Sequence, residues 1–369
     1  MAEKIDIGDG LSVVFSEAIT PEEKVQCSKL ASTAFGKSLS KAEYLEREEF
    51  LGNLPLAQRG GWRFWSLTRA DDPEQVVAMC KTMHRDLLVR DGANNGRSRQ
   101  EQGFCVVSVI TDASYRGRGL ASILLKSVAQ WMDGPGGAIA SMLYSDVGEF
   151  YVSKGWDMLN AAQSTLTVPA SIPHELPALK FPETRLLTAD DIPNLCERDV
   201  ESIKYDYEAY DLPIGHTLVT VLPNTNLINW LQSRTGFMNN KTNSIVPGTK
   251  GSICESADAW MYWYHELRHR KLMIQRVKPP RDQDDATATL VLARLLLDAL
   301  EEASKWQILE VVVWSPSPQL YHATKLLTDK MGIEIKSEQR NGTQMPCFRW
   351  RGAEKKPTSV WPNEFYAWS

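Results

Sequence analysis

The stretch 106–134, VVSVITDASYRGRGLASILLKSVAQWMDG, runs from β-branched residues through a glycine-spaced turn straight into an amphipathic helix. A strand that stops at Thr111 and a helix that begins near Arg118 leave several backbone N–H groups without partners at the helix N-terminus. Such a nest carries partial positive charge, reinforced by the helix dipole, and binds phosphate oxygens. Gly117 and Gly119 permit positive φ and let the backbone approach an anion with no Cβ in the way. Arg116 and Arg118 add charge beside it. The turn therefore predicts a pyrophosphate site, although the same spacing also fits a tight strand-to-helix turn with solvated arginines. It is not a Walker loop, because no Gly-Lys-Ser/Thr follows, and the dinucleotide fingerprint is not completed.

The rest of the composition makes any such site local. With 369 residues and 43% hydrophobic content the chain is long enough for two domains or one large one, with real cores. A formal net charge of -5 argues against a general nucleic-acid or membrane-surface binder, which would meet phosphates with excess Lys and Arg. MAEKIDIGDG has no apolar core of a signal peptide and no stretch approaches 18 consecutive apolar residues, so a cytoplasmic protein is expected. Cys27, Cys80, Cys105, Cys196, Cys254 and Cys347 lie far apart without CxxC pairs and read as buried free thiols, with no structural metal expected.

Moving outward along the chain, residues 11–18 alternate as a strand, and Thr20-Pro21 with Glu23 opens a helix. Residues 62–70 and 75–89 read as strands around an Asp-Asp-Pro turn, and 90–101 as a polar loop. After the glycine turn come a helix to about Met132, the strand AIASMLYS, a short helix over 147–155, and STLTVP (164–169) closing the layer. The proline-rich stretch 170–182 reads as a linker. Beyond it the order recurs: TRLLTADDIPNLCERDV as strand, turn and helix, AWMYWYHELRHRKLMIQRV as a strand pair, then a long helix, the buried strand ILEVVVWS and a helix ending at Gly332. The second copy carries KPPRDQDDAT where the glycine turn would stand. The expected fold is mixed α/β, with domains at 1–172 and 183–369.

Arg116-x-x-Gly119-x-Ala121, between strand and helix, matches the acetyl-CoA signature Gln/Arg-x-x-Gly-x-Gly/Ala of the GNAT superfamily of N-acetyltransferases. LYSDVGEFYVSKGW (143–156) resembles the strand and helix that follow that signature. The chain thus resembles a GNAT-like N-terminal domain followed by a degenerate GNAT-like second half. More narrowly, SMLYSDVGEFYVSKGW, YLEREEFLG and the degenerate half are similar to fungal lysine N-epsilon-acetyltransferases acting on free lysine.

The resemblance implies direct acetyl transfer from acetyl-CoA to a small-molecule amine, most simply the side-chain amine of free lysine. It implies that Val109, Ile110 and Thr111 bond the pantetheine arm and that a splay between this strand and SMLYS admits it. It also implies that the amides of Arg116, Gly117, Arg118, Gly119, Leu120, Ala121 and Ser122 take the diphosphate. Tyr151 matches the family tyrosine that protonates the leaving thiolate and is the acid the resemblance implies; the alternative is a packed ring with a solvated hydroxyl. The family's carboxylate thirteen residues before the signature arginine is here Gly103, beside Gln102 and Glu101. Asp146 is left to act on the amine, through water or electrostatically, or simply to cap the helix at Val147. Glu46 and Glu48 offer recognition of a cationic substrate, or merely a solvated face.

HELRH (265–269) matches the zinc motif HExxH, but its aromatic, β-prone flanks place both histidines in or near a hairpin. Trp260, Tyr262, Trp263, Tyr264, Trp314, Trp350, Trp361 and Trp368 suit a closed acceptor pocket, or core packing. The alternatives are a secondary-metabolite amine, a polyamine or a protein lysine as acceptor, or a non-catalytic acetyl-CoA-binding protein. A monomer or homodimer is expected, with no nucleic-acid or membrane partner.

Overall fold

The computed structural model describes residues 4–36, 38–92, 96–172 and 179–368. The first half contributes β1 (Lys4–Asp6), β2 (Ser12–Ala18), α1 (Pro21–Phe35), α2 (Lys41–Gly52), β3 (Trp62–Arg69), β4 (Val76–Asp91), β5 (Arg99–Thr111), α3 (Leu120–Asp133), β6 (Ala140–Ser145) and β7 (Asp157–Met158). Then follow β8 (Ala162–Thr167), β9 (Arg185–Leu187), α4 (Ile192–Ala209), β10 (Thr217–Val221), α5 (Thr225–Asn243), β11 (Gly251–Cys254), β12 (Ala259–Glu266) and β13 (Lys271–Lys278). The chain closes with α6 (Asp285–Lys305), β14 (Glu310–Trp314), α7 (Pro318–Met331), β15 (Ile335–Gln339), β16 (Met345–Trp350) and β17 (Thr358–Val360).

Local chemistry accounts for the helix starts. The Thr20 hydroxyl accepts from Glu23 N–H while the Glu23 carboxylate accepts from Thr20 N–H at 2.9 Å, a reciprocal capping box with Pro21 at the first helical position. Ser40 and Glu43 repeat it for α2. Ser317 caps α7, which ends on Gly332 at φ 67. Helix α3 buries Leu120, Leu124, Leu125, Val128, Ala129 and Met132, one stripe at helical period, against β3, β4 and β5.

Two sheets result: one runs β1-β2-β3-β4-β5-β6-β16-β7, with β10 and β17 attached through β4, and the other β15-β8-β14-β13-β12-β11-β9. This mixed α/β architecture matches the expected class. The halves nevertheless exchange strands. STLTVP does not close the first layer: β8 lies between β14 and β15 in the second sheet. In return, β16 pairs antiparallel with β6, Met345 opposite Ser145, and β10 pairs with the far end of β4, Val221 opposite Leu87. An apolar strand satisfies its ladder against any free edge of matching register, and nothing within 162–169 names which edge that is.

Other expectations shift at their margins. Arg90 and Asp91 extend β4, and Arg99–Glu101 extend β5, so the loop expected over 90–101 is shorter; residues 93–95 lie outside the described residues. Residues 173–178 of the 170–182 linker do too. The short helix after β6 is a 3-10 turn, Gly148–Lys154, ending on Gly155 at φ 96. All six cysteines are buried and free.

The largest core joins the halves, uniting Met79, Cys105 and Met142 of the first with Trp230, Tyr262 and Phe365 of the second. Trp260, Tyr262, Trp263, Trp314, Trp350 and Trp368 are buried, as core packing requires, whereas Trp361 is 40% exposed. Among the described residues no helix is long and apolar enough to cross a membrane.

Strand exchange makes each half depend on the other. A fragment of residues 1–172 keeps β6 but loses β16, leaving a buried ladder edge open to pairing with other chains. The expected outcome is aggregation and no cooperative melt for that fragment, with soluble material restored by co-expression of 173–369. Sedimentation and thermal denaturation of the fragment alone and of the pair provide the check.

Candidate active site

The turn between β5 and α3 is tied at its start and open at its end. Asp112 accepts from Ser114 N–H at 2.8 Å, a 3-10 turn covers Ala113–Tyr115, and Gly117 and Gly119 sit at φ 81 and 75. A Cβ at either glycine would meet nothing within 4 Å, so the concave side faces open space. Arg116 N–H returns to Ala113 O, and Ser122 N–H bonds Gly119 O at 3.0 Å. Among the described residues, the N–H groups of Gly117, Arg118, Gly119, Leu120 and Ala121 find no acceptor. The arginines are partly engaged: Arg118 pairs with Asp9 at 2.9 Å, and Arg116 reaches the carbonyl of Thr111. The counterpart helix α6 differs in one atom group. Asp284 caps it, accepting from Ala286 and Thr287 N–H at 3.0 and 2.9 Å, so a built-in carboxylate occupies the place an external anion would take.

Beyond the turn, β5 and β6 diverge. Their parallel pairing covers only Gly103–Cys105 opposite Ala140–Met142, although β5 runs on to Thr111 and β6 to Ser145. A bulge sharpens the split: Met79 faces Ile110 and Lys81 faces Val107, with Ser108 at φ 56 between them. Among the described residues no strand pairs with Val109, Ile110 or Thr111 on the β6 side, which leaves backbone groups available to an extended ligand. Gly103, at the closed end, is packed too tightly for a side chain, since a Cβ would lie 2.7 Å from Ala140 O.

A cavity of about 410 Å³ fills the split. Its walls are Val106–Val109 of β5, Tyr144 and Asp146 at the end of β6, Tyr151 of the following turn, Glu48 of α2, Lys81 of β4, and Trp230 and Arg234 of α5. Tyr151 and Asp146 therefore share one space. Burial pushes the Tyr151 phenol well above its ordinary range, with Cys80, Cys347 and Asp146 adding in the same sense, so it stays protonated. Asp146 is exposed and does not cap the turn at Val147: Ser145 Oγ takes Val147 N–H, while Asp146 accepts from Gln344 N–H at 2.7 Å.

Of the three acids of YLEREEFLG, Glu46 and Glu48 part company. Glu46 points outward to Lys241 at 2.7 Å. Glu48 is buried, ion-paired with Lys81 and with Arg47 at 2.8 Å. Burial opposes its charge, but the two cations prevail and hold the carboxyl below its usual range. Lys81, which burial pulls downward, also lies over the Trp62 ring at 4.6 Å. The sequence held a signal for this pair: a lone lysine inside the apolar run VVAMCKTM needs a buried partner. Glu101, by contrast, pairs with Arg99 at 2.9 Å near the other end of β5 and does not line the cavity. His265 closes β12 and sits 2.9 Å from Glu302, and His269 follows in a 3-10 turn 3.0 Å from Glu266, so HELRH spans a hairpin.

Comparison with known proteins fits this geometry. The profile of the LYC1 GNAT-like C-terminal domain matches residues 166–369, and that of the Acetyltransferase (GNAT) family matches 26–150. The chain belongs to the GNAT acetyltransferases. It is an N-acetyltransferase dependent on acetyl-CoA, built from tandem GNAT-like domains. It is similar to a lysine acetyltransferase of Yarrowia lipolytica, 23% identical with 83% of this chain and 85% of that one covered. An uncharacterised protein of Saccharomyces cerevisiae is 22% identical over 90% of this chain and 91% of its own. Among solved structures, a GCN5-related N-acetyltransferase from Kribbella flavida superposes with a TM-score of 0.56 at 17% identity, covering 92% of this chain and 71% of that one.

The buried pair in this GNAT site has a direct test. Glu48 contributes stability that is fully present above a pH of about 4.3, its unfolded value, and is lost as pH falls through the lower folded one. Lys81→Met leaves Glu48 with Arg47 alone. The expected loss is about 3 kcal/mol at pH 7, shrinking toward pH 4, measured by urea denaturation across that range.

Proposed function

We propose that this GNAT protein moves the acetyl group of acetyl-CoA to the side-chain amine of free lysine, or of a closely related small amine, in the cavity between β5 and β6. The observation that carries this reading is that the β5 edge left unpaired at Val109–Thr111 leads from the open amides at 117–121 to a cavity that Val109 lines and that α2 and α5 wall on its far side. The similar Yarrowia protein bears the name lysine acetyltransferase, which supports the acceptor. Enclosure by two helices disfavours a protein chain as acceptor.

The donor fits the residues present. The amides of Gly117 to Ala121, at the positive end of α3, take the diphosphate, with Arg116, Arg118 and Ser122 flanking. Val109, Ile110 and Thr111 bond the pantetheine arm as a missing strand would, and the thioester enters the cavity. The amine nitrogen then attacks the thioester carbonyl carbon and the carbon–sulfur bond breaks. The departing thiolate, of ordinary pKa about 8.5, takes the proton of the Tyr151 phenol, which burial has kept in place, and the proton shed by the newly acylated nitrogen restores the phenol. At neutral pH only about one lysine amine in two to three thousand is unprotonated, so the proton needs a way out. Of the carboxylates lining the cavity, Glu48 is held by two cations, and Asp146 is the one placed to receive it, directly or through water.

Thiol release with lysine, polyamines and a histone peptide tests the acceptor: turnover of lysine is expected, and turnover of the peptide alone overturns the reading. Tyr151→Phe is expected to lower kcat about a hundredfold with acetyl-CoA affinity little changed. Gly119→Asp is expected to weaken acetyl-CoA at least about tenfold, because a carboxylate then occupies the anion's place as Asp284 does in α6. Stopped-flow turnover and calorimetric titration separate the two effects.

A further inference from the structure

Among the described residues, the cavity's cations are Arg47, Lys81 and Arg234. Glu48 pairs with the first two. Arg234 forms no ion pair and no hydrogen bond among the described residues. Glu266 lines an adjoining recess of about 60 Å³ together with Arg234, but its partner is His269 at 3.0 Å. A half-buried guanidinium with five donors and no protein acceptor among the described residues is open to an anion that enters the cavity. A second donor stands beside it. Trp230, one helical turn earlier on α5 and 4% exposed, also lines the cavity, and its indole N–H has no acceptor among the described residues.

That anion is not the diphosphate, because the turn at 116–122 does not border this cavity. It belongs to whatever enters from the acceptor side. We propose that Arg234, with the indole N–H of Trp230, receives the carboxylate of an amino-acid acceptor, and so turns the far end of the molecule, the amine, toward Asp146 and Tyr151. The proposal rests on the reading of this cavity as the acceptor site and deepens it: discrimination is for a carboxylate held apart from the reacting amine. A diamine lacks the group that Arg234 binds. The second half, through α5, then supplies specificity to chemistry performed by the first.

The test compares kcat/KM for lysine with that for 1,5-diaminopentane, which keeps the chain and the amine and lacks the carboxylate, at saturating acetyl-CoA. The wild-type protein is expected to prefer lysine. In Arg234→Ala the ratio of the two values falls at least about tenfold, mainly through KM for lysine, and Arg234→Lys restores part of it. Arg234→Gln serves as a second variant that preserves bulk, and an unchanged acetyl-CoA affinity shows that the fold and donor site are intact. Equal losses for both amines would assign Arg234 to the reacting centre or to packing and overturn the proposal, as would an unchanged ratio. A wild-type protein that acetylates small amines without regard to a carboxylate overturns it too, while leaving acetyl transfer standing. If instead another amino acid is the preferred acceptor, free lysine is wrong, and the same ratio taken with that acid and its decarboxylated amine decides the role of Arg234.

Discussion

Everything that the site does follows from one interrupted ladder. Two parallel strands that paired along their whole length would leave no room for a ligand, and here the pairing stops at Cys105 and Met142 while both strands continue. The interruption has a local cause in the bulge at Ser108, which turns the β5 edge away from β6 at the point where Lys81 crosses from the neighbouring strand. Backbone groups left without a strand must be satisfied by something. An extended amide-bearing arm satisfies them as a strand would, which is why cosubstrate binding and the fold's geometry are the same fact.

The positive charge needed for a diphosphate in a chain of net charge -5 comes chiefly from the backbone. Arg118 is drawn to Asp9 and Arg116 leans on its own chain, so neither side chain is wholly available. The amides at the mouth of α3 have no such competitor. Helix α6 shows the alternative: with Asp284 at its start, the same dipole is answered from within, and the half that carries it keeps the packing role of the helix and gives up the anion site.

What was legible in the sequence was whatever a few adjacent residues decide. Thr20 with Glu23, Gly332, and Gly117 with Gly119 each mark a helix end within one turn. Strand partners are chosen by edges far away in the chain, so the removal of β8 to the second sheet and the arrival of β16 beside β6 left no mark in 162–169 or 345–350. The same limit governs the site. Tyr151 and Asp146 stood within a recognisable motif, whereas Glu48 sat in a charge run that resembles a solvated face, and Trp230 and Arg234 lie on α5, a helix whose relevance depends wholly on where the second half docks.

The exchange of strands gives that docking its consequence. If the second half were tethered only by a linker, α5 would be free to stand away from the cavity; with β10 on β4 and β16 on β6, it is held as part of the same sheet system. The core confirms the constraint, since Trp230 packs edge-on against Trp62 at 5.8 Å, and Trp62 in turn carries the Lys81 ammonium over its ring. A shift of α5 would therefore disturb the Glu48 ion pair, and a loss of that pair would loosen α5. The half that has no open helix mouth of its own thus helps set the shape of the cavity in the half that has one.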